Sequence, residues 1–355
     1  MAIYNGKNLK VEIYGESHSE KIGLKVSGLP TFSFSEEFLQ SFTNRRKASN
    51  SVFSTSRKEE DKPIFIGLQN GKTSDALTIE IANNNTIGSH YDNLYGKPRP
   101  SHADYTSFLK DGTLDFRGGG RFSGRLTAPL CVLGGLIKEY LQGYNIFVEG
   151  YISSIGEVQG LSYLDEEITL DTLLSLRSEG QLPSLTKKEE MLNEIENAKQ
   201  DCDSVGGVIE CIVYGLPGGI GDNLFEGLEG KISNLIYSVP AVKGVEFGSG
   251  FSLAKMRGSQ ANDGLCYENG KVKLLSNNAG GINGGISNGA NITMRVAIRP
   301  TPSIQKEQQT IDLVKGENTK INIIGRHDTC IVPRAIPCIE SAVMIALLDE
   351  LIGVL

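Results

Sequence analysis

The stretch TAPLCVLGGLIKEYL at residues 127–141 is long enough for a helix and is apolar around most of its circumference in its first three turns. A second stretch, IPCIESAVMIALLDELI at residues 336–352, has the same character. A helix that is apolar on every side is buried on every side. These two segments therefore predict helices that lie between other layers of structure rather than on a surface.

Segments outside these helices predict the layers that would cover them. Strands are indicated at residues 9–13, 64–68, 76–82, 208–214 and 291–298. Residues 35–42 are helix-like, and residues 186–201 predict an exposed charged helix in which Thr186 and Glu189 have the spacing of a capping box. The very polar residues 44–62 predict a mobile loop. No repeat or linker divides the chain, so we expect a single domain over residues 1–355.

The composition narrows the class of protein. The chain has 355 residues, of which 39% are hydrophobic and 22% charged, as in soluble globular proteins with an ample core. Its 42 glycines exceed the typical share of ~7% and indicate many tight turns or close backbone approaches. The net charge of −7 disfavours nucleic acid and anionic membranes as partners, so an anion site would need a local basic cluster.

The sequence also bears on location. The N-terminal residues carry charges where a secretory signal would need an apolar run, and Asp349 and Glu350 interrupt the longest apolar stretch. The six cysteines form no Cys-x-x-Cys pair. We therefore expect a cytoplasmic protein with reduced thiols, no membrane span and no metal site.

Several familiar site motifs are not met. Residues 67–73 resemble a phosphate-binding loop, but three residues rather than four separate the glycines and a strand-like segment follows. The dinucleotide Gly-x-Gly-x-x-Gly pattern is absent. The histidines, His18, His90, His102 and His327, have no metal-binding spacing, although three of them have acidic neighbours.

Five segments combine small residues with charge: YGESH (14–18), RPSHADY (99–105), RGGGRFS (117–123), NAGGINGGISNG (278–289) and GRHDTCIVPRA (325–335). The triple glycine between Arg117 and Arg121 would let backbone N–H groups and guanidinium groups hold an anion, or would simply form a tight turn before a helix. The glycine run at 280–289 would suit backbone contact with a flat ring. Its low charge disfavours the alternative, a loose surface loop.

Together with RRK (45–47), AVKGVE (241–246) and RGS (257–259), these segments closely resemble the chorismate synthase family, in the family's order and over essentially the whole chain. The resemblance implies an α+β fold, a β-α-β sandwich with buried central helices between antiparallel sheets. It also implies a homotetramer. The two all-round apolar segments agree with that fold independently.

The resemblance further implies the activity. Family members are carbon–oxygen lyases that act on phosphates: they convert 5-enolpyruvylshikimate 3-phosphate to chorismate by trans-1,4 elimination, in the last common step of the shikimate pathway to aromatic amino acids. The reaction requires reduced FMN without net redox change. Some members reduce their flavin with NADPH, but no added reductase domain is evident in this sequence. We therefore expect an external flavin reductase, with NADPH as an indirect reductant.

Roles carry over to matching positions. His18 would keep the reduced flavin anionic, His102 would act as the general acid on the leaving phosphate, and Asp328 with Ser17 would govern the proton on the flavin nitrogen. Ser123 completes the catalytic set. The expected flavin contacts are Arg121, Phe122, Ser123, Pro240, Ala241, Gly284, Arg299, Pro300, Thr301, Pro302, Ser303 and Arg326. The expected substrate contacts are Arg45, Arg46, Arg125 and Arg334, although any one arginine could instead form a surface ion pair.

The chain departs from the family pattern at several positions. Serine replaces glycine at Ser19 and Ser101; the other replacements are Phe122, Gly124, Leu126, Val52 and Thr329. These changes bear on loop closure, on flavin hydrogen bonding at residue 122, and on anion or NADPH contacts near residue 52. The alternatives to the enzyme are a non-catalytic flavin or nucleotide carrier and a metal-dependent hydrolase built on the histidines.

Overall fold

The computed structural model describes residues 1–47, 61–83, 94–116, 118–176, 182–323 and 327–355. The N-terminal part forms an antiparallel sheet in the order β1-β2-β3-β5-β4. Its strands are β1 (Ala2–Asn5), β2 (Lys10–Tyr14), β3 (Lys21–Ser27), β4 (Pro63–Ile66) and β5 (Ala76–Ala82). Residues 67–73, the segment that resembles a phosphate-binding loop, connect β4 to β5 through a turn in which Gln69 pairs with Lys72.

The remaining strands form a second sheet and three hairpins. They are β6 (Phe147–Ile155), β7 (Val158–Gln159), β8 (Gly207–Tyr214), β9 (Val242–Phe247), β10 (Leu265–Glu268), β11 (Lys271–Leu274), β12 (Ile282–Asn283), β13 (Ile286–Ser287), β14 (Ile292–Ile298), β15 (Gln308–Asp312) and β16 (Glu317–Ile321). The second sheet is antiparallel with the order β7-β6-β8-β14-β9. The pairs β10–β11, β12–β13 and β15–β16 are two-stranded.

The helices are α1 (Glu36–Asn44), α2 (Asp104–Asp111), α3 (Thr127–Gln142), α4 (Leu170–Ser175), α5 (Lys188–Gln200), α6 (Leu228–Ser238), α7 (Gly258–Ala261) and α8 (Val332–Leu351). Helices α3 and α8 are buried along most of their length, pack against each other and lie between the two sheets, with α3 on β3 and β5 and α8 on β6 and β8. The expected α+β sandwich with central helices is therefore confirmed.

Alternating side chains explain how each sheet covers the helices. In β3, Ile22, Leu24 and Val26 are buried while Lys21 and Lys25 are exposed, as a period of two requires when one face meets the core. In β14 the same alternation buries Met294, Val296 and Ile298. The inner faces of both sheets and the two helices form one continuous apolar core.

The two central helices cross closely at Gly134. A Cβ placed there would lie 2.0 Å from the Ser341 Oγ of α8, so only glycine permits this approach. One turn away, the Sγ atoms of Cys131 and Cys338 are 3.6 Å apart, and the cysteines of the described ranges form no disulfide. Buried charges near the crossing are paired: Lys138 and Arg45 both contact Glu340.

The chain ends meet at Asp349, a carboxylate that is almost fully buried near the end of α8. Its oxygens accept hydrogen bonds from the backbone N–H groups of Lys7, Asn8 and Leu9 at 2.7–2.8 Å. The hydroxyl of Tyr4 donates to it as well, at 3.1 Å. A charge within an otherwise apolar segment is thus satisfied by the turn that links β1 to β2.

Some local expectations were wrong. The charged helix begins at Lys188 and has no capping box, because the Thr186 hydroxyl accepts from the Leu161 N–H instead. The last helix begins four residues earlier than expected, at Val332. Most of the loop expected at residues 44–62 lies outside the described residues, while its described ends at Arg46 and Asp61 are buried. Within the described ranges, no helix combines the length and hydropathy needed to cross a bilayer.

Candidate active site

His102 is held by a carboxylate two residues further along the chain. Asp104 begins α2, and its Oδ1 lies 2.5 Å from His102 Nδ1. The buried Arg99 donates to both oxygens of Asp104, at 2.7 and 2.8 Å. Burial alone would raise the pKa of Asp104, but the hydrogen bonds from Arg99 and His102 lower that pKa to about 2. The ionised carboxylate therefore fixes Nδ1 as the bound nitrogen of His102 and leaves Nε2 for chemistry.

The triple-glycine turn at residues 118–120 packs against His18. Arg99 donates to the Gly118 carbonyl at 2.5 Å, and the Ser17 N–H donates to the Gly120 carbonyl at 3.1 Å. Gly118 has a φ of +62°, and a Cβ placed there would lie 2.4 Å from His18 Nε2. Glycine is therefore required here because the imidazole of His18 lies directly against the backbone.

Asn83, the residue that follows β5, holds the loop that carries Ser17 and His18. The side-chain amide of Asn83 donates to the carbonyls of Ser17 and Ser19, at 2.8 and 3.0 Å. Arg125 contacts the Asn83 Oδ1 at 3.4 Å, and its Nη1 contacts Asp61. The hydroxyl of Ser17 is buried and has no hydrogen-bond partner within the described residues.

Arg46 and Arg334 connect this cluster to Asp328. Arg46 is buried and donates to Asp61 at 3.1 Å. The Nε of Arg334 donates to the Arg46 carbonyl at 2.9 Å, and its Nη1 pairs with Asp328. The Asp328 carbonyl accepts from the Thr301 hydroxyl at 2.8 Å. Asp328 is thereby fixed between the start of α8 and the segment that follows β14.

Arg299 connects the segment that follows β14 to the loop of His102. Its Nη1 donates to the Ser101 carbonyl at 2.6 Å, and its backbone N–H donates to the Ala241 carbonyl at 3.0 Å. The contacts thus return to the loop of His102. We call this closed series the contact ring, and its members are Arg99, Ser101, His102, Asp104, Gly118, Gly120, Ser17, His18, Asn83, Arg125, Asp61, Arg46, Arg334, Asp328, Thr301 and Arg299.

Other expected flavin contacts flank the contact ring or lie apart from it. The Ser123 Oγ accepts from the Arg125 N–H at 3.2 Å. Arg121 is exposed, pairs with Asp111 and lies over the Phe122 ring at 4.9 Å. Pro300, Pro302 and Ser303 border Thr301 in sequence, Pro240 and Gly284 are exposed, and Arg326 lies outside the described residues.

The glycine run serves mainly the protein's own packing. A Cβ at Gly280, Gly281 or Gly285 would lie within 2.2–2.6 Å of neighbouring backbone atoms. The run forms the short hairpin β12–β13, in which Ile282 is buried, so it is not a loose loop. At Gly284, by contrast, a Cβ would meet open space, with nothing within 4 Å among the described residues.

Arg45 has a different environment from the other expected substrate contacts. Both of its Nη atoms contact Glu340 of α8 at 2.7 Å, and Glu340 is fully buried. Its guanidinium group is thus directed into the interior beside Lys138. This geometry favours a structural role for Arg45.

The structure adds residues that the motifs did not single out. His327 is largely buried, and its Nε2 has no hydrogen-bond partner within the described residues. Burial lowers the pKa of His327, as do Arg99 and His102, against the opposing effect of Asp328. Arg99, Asp104 and His327 lie inside the motifs quoted above, but catalytic roles were assigned only to neighbouring residues of those motifs. Asp61 and Asn83 carry no local signal, because their roles depend on distant partners.

His18, His102 and His327, the histidines of the described ranges, are not arranged as a metal centre. No group of three or more histidine, cysteine or acidic side chains in the described ranges could hold a metal ion. His102 is engaged by Asp104, and His18 lies against Gly118. The arrangement is suited to anion binding and proton transfer, since it gathers several arginines and two imidazoles.

Comparisons with known proteins agree on one family for the whole chain. A family model described as chorismate synthase matches residues 9–352. A relative named chorismate synthase from Lachnoclostridium phytofermentans is 42% identical over 98% of this chain and 94% of its own length. A relative of the same name from Methanocaldococcus jannaschii is 42% identical over 98% of this chain and 95% of its own.

A third relative so named, from Dehalococcoides mccartyi, is 39% identical over 97% of this chain and 95% of its own. Among solved structures, one titled "Crystal Structure of Chorismate Synthase" superposes with a TM-score of 0.77. It is 27% identical in sequence and covers 99% of this chain and 94% of that chain. The likeness therefore extends over both sheets and both central helices.

Proposed function

The chain belongs to the chorismate synthase family, and from that premise we propose how its own residues carry out the family's reaction. It is a carbon–oxygen lyase that converts 5-enolpyruvylshikimate 3-phosphate to chorismate by trans-1,4 elimination of phosphate. This reaction is the last common step of the shikimate pathway to aromatic amino acids. The family uses reduced flavin in it.

The contact ring is the single observation that supports the assignment of residues. His18, His102 and Asp328 come from three segments that are far apart in sequence, and hydrogen bonds, ion pairs and short stretches of backbone together link the loops that carry them. A substrate with two carboxylates and a phosphate needs several convergent guanidinium groups. Arg46, Arg125 and Arg334 of the contact ring supply them in this proposal, and Arg45 supports the core instead.

The residues suit reduced FMN. The Ser17 hydroxyl and the Nε of Arg299 are buried donors without a partner in the described part of the chain. Groups of this kind are rare unless a ligand or water satisfies them. When bound, the reduced flavin supplies electron density to the substrate as phosphate departs. Its proposed contacts are Arg121, Phe122, Ser123, Pro240, Ala241, Gly284, Arg299, Pro300, Thr301, Pro302, Ser303 and Arg326.

His102 acts as the general acid. When the carbon–oxygen bond to phosphate breaks, the bonding electrons leave on the phosphate oxygen, and His102 Nε2 donates a proton to that oxygen. Asp104 stabilises the protonated ring through Nδ1, since the two atoms lie 2.5 Å apart. A positive charge on His18, beside Gly118, favours an anionic ligand in front of it. The Asp328 carboxylate, paired with Arg334, and the Ser17 hydroxyl would govern the protonation of the flavin nitrogen that would accept the proton from the substrate carbon.

An anaerobic assay tests this proposal. Purified protein, chemically reduced FMN and 5-enolpyruvylshikimate 3-phosphate should release phosphate and form chorismate, and the reaction should continue in the presence of a strong chelator. His102→Ala should lower kcat by roughly a hundredfold or more, the usual contribution of a general acid, with an unchanged circular dichroism spectrum. An unaltered rate would remove His102 from its role. No turnover by the wild type would remove the function.

Four further properties belong to the proposal. One domain over residues 1–355 is supported by the continuous core, and a single cooperative unfolding transition is expected. A homotetramer is supported by exposed Leu224, Phe225 and Phe251, which are 85%, 94% and 83% accessible; light scattering would measure the assembly.

An external flavin reductase predicts no aerobic NADPH consumption by the pure protein with FMN. A cytoplasmic location is supported by the free thiols and predicts six titratable thiols after unfolding.

A further inference from the structure

Asp61 lies between two of the proposed substrate arginines. Its side chain is buried, with 5% of the residue accessible. Oδ2 accepts from Arg46 Nη1 at 3.1 Å, and Oδ1 contacts Arg125 Nη1. One carboxylate therefore determines the separation and the orientation of two guanidinium groups that come from different parts of the chain.

Each arginine is also anchored on its far side. The Arg46 Nε donates to the Thr127 hydroxyl and its Nη2 donates to the Gly124 carbonyl, both at 2.8 Å, so Arg46 is tied to the start of α3. Arg125 reaches Asn83 at 3.4 Å. Asn83 in turn holds the backbone of the loop that carries Ser17 and His18. Asp61 is thus the shared link between the start of α3 and the loop of His18.

The backbone at Asp61 is in an unusual conformation. Its φ is +46°, in the left-handed region, which costs an L-residue free energy, although aspartate tolerates it better than most. Strained residues persist where the surrounding structure holds them, and they cluster at functional sites. In this backbone conformation the carboxylate lies between Arg46 and Arg125.

We propose that Asp61 is a positioning residue for substrate binding: it prealigns Arg46 and Arg125 to receive the anionic groups of the substrate. This inference rests on the proposed function. Two long side chains that must find their orientation on binding lose rotamer freedom at that moment, and a fixed carboxylate removes most of that loss in advance. Asp61 itself touches neither substrate nor flavin, so its removal acts on affinity more than on the chemical step.

Asp61→Asn is the decisive variant, because asparagine has the same size and also tolerates a positive φ but lacks the charge. The KM for 5-enolpyruvylshikimate 3-phosphate should rise roughly tenfold to a hundredfold, as expected for a lost charge-assisted hydrogen bond, while kcat changes by less than about threefold. The inhibition constant of inorganic phosphate should rise in parallel. The dissociation constant of FMN should stay within about twofold, because Asp61 contacts Arg46 and Arg125 and none of the proposed flavin contacts directly.

Two comparison variants separate positioning from general destabilisation. Asp312 is equally buried, at 5%, and accepts from the N–H groups of Val314 and Lys315 in the hairpin β15–β16. Asp312→Asn should lower the melting temperature without changing KM. Asp61→Gly removes the backbone strain together with the carboxylate, so it should show the same high KM as Asp61→Asn. Wild-type KM in Asp61→Asn, or an equal rise in Asp312→Asn, would overturn the proposal.

The experiment also separates this inference from the proposed function. If the wild type fails to eliminate phosphate, the function is wrong, and calorimetric binding of inorganic phosphate to wild type and Asp61→Asn still decides the role of Asp61. Equal phosphate affinity in the two proteins would reject it. If Asp61→Asn does not fold, Asn83→Ala loosens Arg125 from the other side. It should raise KM roughly threefold to tenfold, because the bond from the charged Arg125 to Asn83 is long, at 3.4 Å, and therefore weak, and an unchanged KM there counts against the proposal.

Discussion

The guanidinium group of Arg299 donates a hydrogen bond of 2.6 Å to the backbone carbonyl of Ser101, across 198 residues of sequence. Ser101 has a φ of +56°, in the region that favours glycine. The backbone of Arg299 also holds the carbonyl of Ala241, whose φ is +75°. One arginine thus steadies two strained residues, one beside His102 and one among the proposed flavin contacts.

Ser101→Gly should stabilise the protein. Glycine removes the cost of about 1–2 kcal/mol that an L-residue incurs in the left-handed region. It also adds conformational entropy to the unfolded chain, which costs about 0.5–1 kcal/mol. The free energy of unfolding should therefore rise by about 0.5–1 kcal/mol. Urea unfolding measures the change. Ser107→Gly in the right-handed backbone of α2 is the control and should destabilise by about 0.5 kcal/mol. Equal effects of the two variants would contradict the argument.

Gly118→Ala should abolish most activity through His18. The new Cβ would lie 2.4 Å from His18 Nε2 and 2.9 Å from Ser17 Oγ, so the imidazole must move. Gly112→Ala is a matched control, since Gly112 has a similar φ of +69° but nothing within 4 Å of its Cβ in the described structure. Both variants should lose roughly 1 kcal/mol or more of stability through backbone strain. Only Gly118→Ala should lose phosphate release by tenfold or more in the anaerobic assay, which corresponds to about 1.4 kcal/mol; similar activities would contradict a role for this contact.

Asp104→Asn should lower the free energy of unfolding by an amount that depends on pH. The pKa of Asp104 is lowered from 3.8 to about 2 in the folded state, so the ionised form stabilises the fold above about pH 4, and this contribution is lost as the pH falls towards 2. At pH 7 the variant should lose about 2 kcal/mol of unfolding free energy. Urea unfolding at a series of pH values should show the two proteins converging below pH 4. A constant difference would show that the charge of Asp104 is not responsible.

His327 should make the fold sensitive to mild acid. Burial, Arg99 and His102 lower its pKa below the ordinary 6.5, so the unfolded chain takes up a proton there before the folded chain does. Stability should therefore fall as the pH drops below about 6.5. His327→Gln cannot be protonated and should show a smaller loss between pH 7 and 5 in thermal unfolding. Parallel curves for the two proteins would contradict this assignment.

The sequence predicted the central layer well because the signal there is local. Residues 127–141 are apolar around the helix, and α3 spans Thr127–Gln142. The start of α8 was missed because Pro333 and Arg334 lie in its first turn, where a proline is well tolerated but gives no apolar pattern. The predicted capping box at Thr186 does not form. Its spacing matches the motif, but the Thr186 hydroxyl instead accepts a hydrogen bond from the N–H of Leu161, a tertiary partner.

The site was predictable only in part. His18, His102 and Asp328 lie in recognisable motifs, so their segments could be named from sequence. Asp61 and Asn83 could not, because their contacts with Arg46, Arg125 and Ser17 join segments that no local pattern relates. The environment of Arg45 was hidden as well, since its partner Glu340 lies 295 residues away. Sequence patterns locate reactive groups, whereas the residues that orient them depend on how the layers pack.

The junction at Asp349 has a consequence for how the protein is made. The carboxylate that accepts the N–H groups of the turn after β1 is synthesised some 340 residues later than that turn. Until then the N-terminal hairpin lacks its anchor, and α8 cannot complete the central layer. The native fold can therefore form only after Asp349 has been synthesised, and a truncation that removes Asp349 would lose the hydrogen bonds that join the β1–β2 turn to α8.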